Sequence, residues 1–139
     1  MAMSTTNTSE DTAYCLYILM RTDMASMNPG KAAAQAAHAA NQFVKHARSR
    51  NNGGLHEWER QTGDGFGTTI TLAADIGEID EIFVRGHGRY GTMVGKVVDP
   101  TYPVRDGAVT HLVSVVTCAY VFGRRDHVKG LVRDLSLLP

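Results

Sequence analysis

Cysteine is scarce in this chain, with only Cys15 and Cys118, each inside an apolar run. Two such residues make no disulfide framework and read as reduced core thiols, which sets the expected location as cytoplasmic. Long hydrophobic runs are missing as well. No uninterrupted stretch approaches the ~18 residues of a membrane span, so no membrane helix is expected. A surplus of charge is missing too, because 14 Lys and Arg stand against 14 Asp and Glu. That balance excludes a long basic tract gripping nucleic acid non-specifically, while leaving room for a local basic patch. The amino end, MAMSTTNTSEDT, has neither a basic start nor an apolar stretch, and so lacks the marks of a secretory signal. Polar and rich in Ser and Thr, residues 1–12 are expected to be a disordered tail.

What remains is an ordinary globular composition, 43% apolar and 20% charged over 139 residues. That length suits one domain, assigned here to residues 13–139. Residues 13–20, AYCLYILM, form a nearly continuous apolar run that suits a strand buried on both faces. After a loop punctuated by Pro29 and Gly30, Ala-rich sequence from Lys31 reads as a helix ending near Asn51–Gly54. The segment NNGGLHEWERQTGDGFG reads as loop. TTITLAAD (68–75) reads as a second strand, and Ile76, Ile79, Ile82 and Phe83 mark a helix stopped by glycines. TMVGKVVD is expected as a third strand, DPTYP as a turn, and Val109 to Phe122 as a fourth strand. The closing helix places Val128, Leu131, Val132 and Leu135 on its inner stripe. The order predicts an α/β fold, a three-layer α/β/α sandwich around a mixed, roughly four-stranded β-sheet.

Ligands of such sheets bind at strand carboxyl ends beside helix amino ends, which directs attention to the loop before Lys31. A helix start already carries partial positive charge, so a lysine there is unfavourable unless an anion or a developing oxyanion is to be held. The plainer reading is a lysine snorkelling to solvent. A P-loop is excluded, because its first Gly and its final Ser or Thr fall on Ala25 and Ala32. His38 shares the face of Lys31 and Gln35 but lies about 10 Å along the helix, which favours a packing role. The histidines show no pairing at zinc-like spacing, so neither a metal site nor a cofactor is expected. Arg21 and Asp23 either pair with each other or meet a substrate. Trp58 either stacks on a base or packs.

The stretch LMRTDMASMNPGKAAAQAAHAA resembles the signature of the second, archaeal and eukaryotic class of peptidyl-tRNA hydrolases. Arg21, Asp23, Met27, Gly30, Lys31, Ala33, Ala34, Gln35, His38 and Ala39 carry the match, with about one extra residue in the loop after Asp23. Downstream, DGAVT supplies Asp106 and Thr110 at the spacing of the family's Asp-Ala-Gly-Arg-Thr turn, and CAYVFG reaches Gly123 as the family's last strand does. The departures are Ala108 and Val109 in the turn, a longer segment before Asp106, and Cys118 (beside Thr117) where the family has threonine. Asp99 is a rival to Asp106 but lacks a Thr four residues on, and Asp106 alone would read as half of an Asp-Gly turn.

The resemblance implies hydrolysis of the ester of peptidyl-tRNA, with Lys31, Asp106 and Thr110 catalytic and Gly30, Gln35, Arg21 and Cys118 meeting the substrate. Peptidyl-tRNA is then the expected partner, and a homodimer is implied because dimers are common among the relatives. The alternative is a non-catalytic module of the same fold, binding a nucleotide end or a protein.

Overall fold

The computed structural model describes residues 9–139, so most of the expected tail lies outside the described residues. Its last part, Ser9–Thr12, forms one helical turn, α1, and Glu10 pairs with Arg125 at 3.2 Å. Then follow β1 (Tyr14–Arg21), α2 (Pro29–Ser49), α3 (Gly53–Arg60), β2 (Thr69–Ala74), α4 (Ile76–Gly86), β3 (Thr92–Asp106), β4 (Val109–Arg124) and α5 (Arg125–Val132). The strands form one sheet in the order β2-β1-β4-β3, with β1 and β2 parallel and the other pairings antiparallel. The sheet is mixed and four-stranded, as expected.

The continuous apolar run of β1 follows from its place inside the sheet. Alternate residues face opposite sides, so each face needs its own apolar set. Leu16, Ile18 and Met20 join Ala39, Phe43 and Trp58 in a core under α2 and α3. Leu19 joins Leu72, Ile79, Val121 and Val128 in a second core under α4 and α5. Two cores on two faces make the three layers. Among the described residues, no helix is long and apolar enough to cross a membrane.

Three expectations need correction. The segment read as loop contains α3, capped by the Asn52 side chain, which accepts from the Gly54 N–H. Two glycines and only two turns hid it. Trp58 on this helix packs edge-on against Phe43 and Phe122, and its indole N–H donates to the Thr68 carbonyl at 2.7 Å. The residues read as a turn after Asp99 instead continue β3 to Asp106, so β3 and β4 make a hairpin far longer than expected. The final helix ends at Val132, short of Leu135, and the chain turns back along β2, where Leu137 bridges Leu72. That return covers an edge that would otherwise leave backbone groups unpaired.

Gly123 sits where β4 crosses the backbone before β3. A methyl added there would lie 2.5 Å from the Gly91 carbonyl oxygen and 2.8 Å from Val128. Backbone cannot step aside as a flexible side chain can. Gly123→Ala is expected to cost about 1–3 kcal/mol, lowering the melting temperature by roughly 3–10 °C. Thermal unfolding followed by circular dichroism checks it.

Candidate active site

The loop between β1 and α2 is held down at both ends. Thr22 N–H donates to the Ala74 carbonyl and Met27 N–H to that of Met24. Asn28 caps α2, its side-chain oxygen accepting from the Lys31 N–H at 2.9 Å, and Pro29 at the first helical position has no N–H to satisfy. Ala32 N–H bonds the Asn28 carbonyl. Gly30 is therefore the residue of this turn whose N–H remains to face outward.

Lys31 does not snorkel to solvent. Half-buried, it reaches across to β3, where its ammonium donates to the Pro103 carbonyl at 2.8 Å and lies 4.9 Å from the centre of the Tyr102 ring. Tyr102 is fully buried, and its hydroxyl meets Ser26 at 3.3 Å and the Met27 sulfur at 3.8 Å. One turn along α2, Gln35 is 4% exposed and both ends of its amide are used. Its Nε2 donates to Asp99 Oδ2 at 2.7 Å, and its Oε1 accepts from the Thr117 hydroxyl at 2.6 Å. A carboxylate can only accept here, so the amide has one possible orientation. About two turns further on, Gln42 donates to the Lys96 carbonyl.

Two irregularities in the β3–β4 pairing build this cluster. Val97 pairs with Cys118 but Val98 with Val116, which leaves Thr117 as an extra residue on β4. Asp99 pairs with Val115 but Tyr102 with Val113, which puts an extra residue on β3. Such bulges re-aim side chains that a regular ladder would alternate. As a result Thr117 and Cys118 both turn toward α2: the Thr117 hydroxyl meets the Gln35 amide, and the Cys118 thiol lies 3.5 Å from the Gln35 carbonyl. Asp99 curls onto its own chain, accepting from the Thr101 N–H at 2.9 Å. The Thr101 N–H first, then the Gln35 amide, hold the Asp99 carboxyl below its ordinary pKa of 3.8, and the nearby His38 adds to this. Exposed His38 is thus a neighbour of the carboxylate rather than a packed core histidine.

Beside Lys31 opens a cavity of about 820 Å³, lined by Met24, Ser26, Asn28, Lys31, Arg105 and Thr110 among others. Lys31 and Thr110 therefore share one space. Neither Asp99 nor Asp106 is among its lining residues. Asp106 pairs with Val109 across the hairpin, and alternation turns Thr110 to the opposite face. The Asp106 side chain is 83% exposed and meets His111 at 3.6 Å. Gly107 follows with φ +60°, as the first loop position of a two-residue hairpin of this kind requires. The Asp-Gly pair thus does the work of a turn.

Of the expected substrate contacts, Gly30 is exposed at the cavity's helix, whereas Gln35 is buried as a support. Arg21 faces inward: it grips both Asp23 oxygens at 2.9 and 3.0 Å and donates to the Val116 carbonyl at 3.1 Å, where the bulge interrupts the ladder. Asp23 also accepts from the Ile76 N–H at the start of α4. Cys118 cannot meet a substrate in this structure, being 0% exposed beneath Gln35, with burial pushing its thiol up to about 11. In the sequence Asp99 stands only as a rival to Asp106, and Thr117 only as the neighbour of Cys118. The signals for them were an Asp-Pro-Thr turn and two polar residues breaking a β-branched run.

The family model for the peptidyl-tRNA hydrolase PTH2 matches residues 14–84. The chain belongs to that family. No curated protein sequence matches it. The PTH2 match runs from β1 through α4 and takes in Arg21, Gly30, Lys31 and Gln35. It stops before the β3–β4 hairpin, which carries Asp99, Asp106, Thr110 and Thr117.

Two outcomes follow. Ellman's reagent at pH 8 should label neither cysteine in the native protein and both in guanidinium, because each thiol is fully buried and raised in pKa. The Arg21 guanidinium holds the Asp23 pKa below 3.8 in the folded state. Its contribution is therefore present above pH 3.8 and lost as pH falls through the folded value. Asp23→Asn should thus destabilise at pH 7, and the difference from wild type should shrink below pH 3.8 in denaturant titrations.

Proposed function

We propose that this protein hydrolyses the ester joining a peptide to the 3′ ribose of tRNA, with Lys31 and Asp99 as the charged pair of the site. The observation that carries this reading is the convergence on Gln35: one buried amide, one helical turn after Lys31 on α2, ties the carboxylate of Asp99 to that helix. The cavity beside Lys31 offers room for an ester and its flanking groups.

Hydrolysis needs a water directed at the carbonyl and positive charge where the oxyanion develops. Asp99 is ionised at neutral pH and has lone pairs left after bonding Thr101 and Gln35, so it can accept a hydrogen bond from that water and aim it. Its depressed pKa makes it a weak proton acceptor, which favours orientation over full deprotonation. The Lys31 ammonium and the Gly30 N–H at the positive end of α2 face the space where the oxyanion forms. Collapse of the tetrahedral intermediate breaks the bond to the ribose oxygen, which takes the proton given up by the attacking water and leaves as the tRNA 3′ hydroxyl. The peptide leaves as its carboxylate. Thr110 contacts substrate in the cavity, Gln35 and Thr117 hold Asp99, and Arg21 braces the frame. Asp106 has no part in the reaction.

The test is deacylation of an N-blocked aminoacyl-tRNA by the purified chain. Lys31→Ala should lower kcat at least about 100-fold, the scale of losing one oxyanion donor. Asp99→Asn should lower it by about 10- to 100-fold. Asp106→Asn should stay within about twofold, as a surface turn position does. Full activity of Asp99→Asn with loss in Asp106→Asn would return the role to the turn. Inactive wild-type protein that still binds tRNA would support a binding module instead.

A further inference from the structure

A second space opens on the other flank of α2. It is a groove of about 420 Å³ between that helix, the loop before it and the edge strand β2, lined by Met24, Met27, Ala33, Ala36, Thr71 and Leu138 among others. Its size falls within the range of about 300–1,000 Å³ typical of small-ligand sites. At about 100° per residue, α2 turns Ala32, Ala36 and Ala33 some 100–200° away from Lys31, so the helix itself divides the groove from the Lys31 cavity. The two spaces meet in front of the helix start, where Met24 and Asn28 line both.

The wall away from α2 is built by the chain's return along β2. Ala73 N–H donates to the Ser136 carbonyl at 2.8 Å and Leu138 N–H to the Thr71 carbonyl at 3.0 Å, which fixes Leu138 beside Thr71. Leu138 also packs against the core under α2. The chemistry of the two spaces differs. The Lys31 cavity carries two cations, Lys31 and Arg105. The groove has one charged lining side chain, Arg21, and Asp23 and the Val116 carbonyl already engage it. The rest of its lining is mostly apolar: two thioethers, three alanines, two prolines and a leucine. Methionine side chains reshape around whatever apolar group enters, which suits peptides of varied sequence.

We propose that this groove holds the acyl half of the substrate, so that the site prefers esters of apolar peptides. The proposal rests on the hydrolase reading above and adds where the two halves of that substrate lie. The ester joins an anionic ribose-phosphate chain to a peptide that offers apolar side chains. Cations line the space on one side of the helix start, apolar groups line the space on the other, and Gly30 and Lys31 stand between them. Exposed Asn28 suits the junction. Its side-chain oxygen is engaged by the Lys31 N–H, which leaves its NH2 group to donate outward, and a peptide carbonyl is the acceptor that matches such a donor.

The experiment has two readouts on the full chain, one that needs catalysis and one that does not. The first compares kcat/KM for N-acetyldileucyl and N-acetyldiglycyl esters of one and the same tRNA. Wild-type protein should prefer the leucyl ester by about 10- to 100-fold, the scale set by apolar groups in a pocket. Ala33 is exposed at the rim of the groove, so Ala33→Trp fills the space without entering the core. That variant should bring the two esters within about twofold of each other, because the pocket no longer tells them apart. The second readout follows methionine methyl resonances during titration with N-acetylleucylleucinamide. Those of Met24 and Met27 should shift to saturation, while that of Met93, buried under α2, stays in place. N-acetylglycylglycinamide should shift none of them.

Equal kcat/KM for the two esters would overturn the groove as the acyl site, as would a leucyl preference that survives Ala33→Trp. A leucyl dipeptide that shifts neither Met24 nor Met27 would overturn it too. Methyl shifts that follow protein concentration instead of dipeptide would reassign the groove to a second copy of the chain. The two readings fail separately. Met24 and Met27 shifts with cleavage of neither ester sink the hydrolase, and the acyl assignment with it, leaving a groove for apolar peptides. Cleavage of both esters without preference or shifts sinks the acyl groove alone.

Discussion

The geometry of the site hangs on one buried amide. Gln35 has no water to turn to, so both ends of its side chain must be matched within the protein or the fold loses about 1–3 kcal/mol for each unmet group. Thr117 and Asp99 meet that demand, and each is available only because β3 or β4 holds an extra residue. The bulges, the hairpin and α2 are thus coupled. A regular ladder would turn Thr117 to the other face of the sheet, where the α4 and α5 core has no use for a hydroxyl, and would leave the Gln35 oxygen bare.

This coupling explains why one half of the cluster around Gln35 was plain in the sequence and the other was not. Lys31 and Gln35 lie on one helix, where a spacing of four residues fixes their relation regardless of the rest of the fold. The helix itself is announced by Pro29, the alanines and the asparagine before them. Asp99 and Thr117 lie on different strands, and their meeting depends on register. A shift of one residue in register exchanges the faces, and bulges leave little mark on composition. Asp106 reads as the carboxylate because Asp-Gly before a threonine matches a family turn. Physically the pair answers a local need, a glycine at positive φ between two strands.

Burial also separates roles that one-dimensional matching merges. Cys118 falls at the family's threonine position, yet the bulge places the hydroxyl of Thr117 against Gln35 and the thiol against the Gln35 backbone. The adjacent residue therefore does the hydrogen bonding, and sulfur fills core volume below. Arg21 shows the same divergence. Its guanidinium is charged and lies at the carboxyl end of β1, where ligands are expected, yet both its edges are engaged by Asp23 and the Val116 carbonyl. It closes the ladder at the bulge and joins β1, β4 and α4 in one frame.

The lysine at the start of α2 then has a physical account. The positive end of the helix opposes a second positive charge by about 0.3–1 kcal/mol near the surface. Against that stand a carbonyl oxygen at 2.8 Å and the face of a buried tyrosine ring, both on a different strand. A hydrogen bond to a charged donor is worth about 1.5–3 kcal/mol, and a cation over an aromatic face adds about 0.5–1 kcal/mol or more. The balance favours Lys31 where it lies, provided β3 extends past Asp99 to offer Pro103 and Tyr102. The long hairpin that sequence reading missed is thus what makes the opening lysine tolerable. It also holds that ammonium in the wall of the cavity, at the amino end of α2.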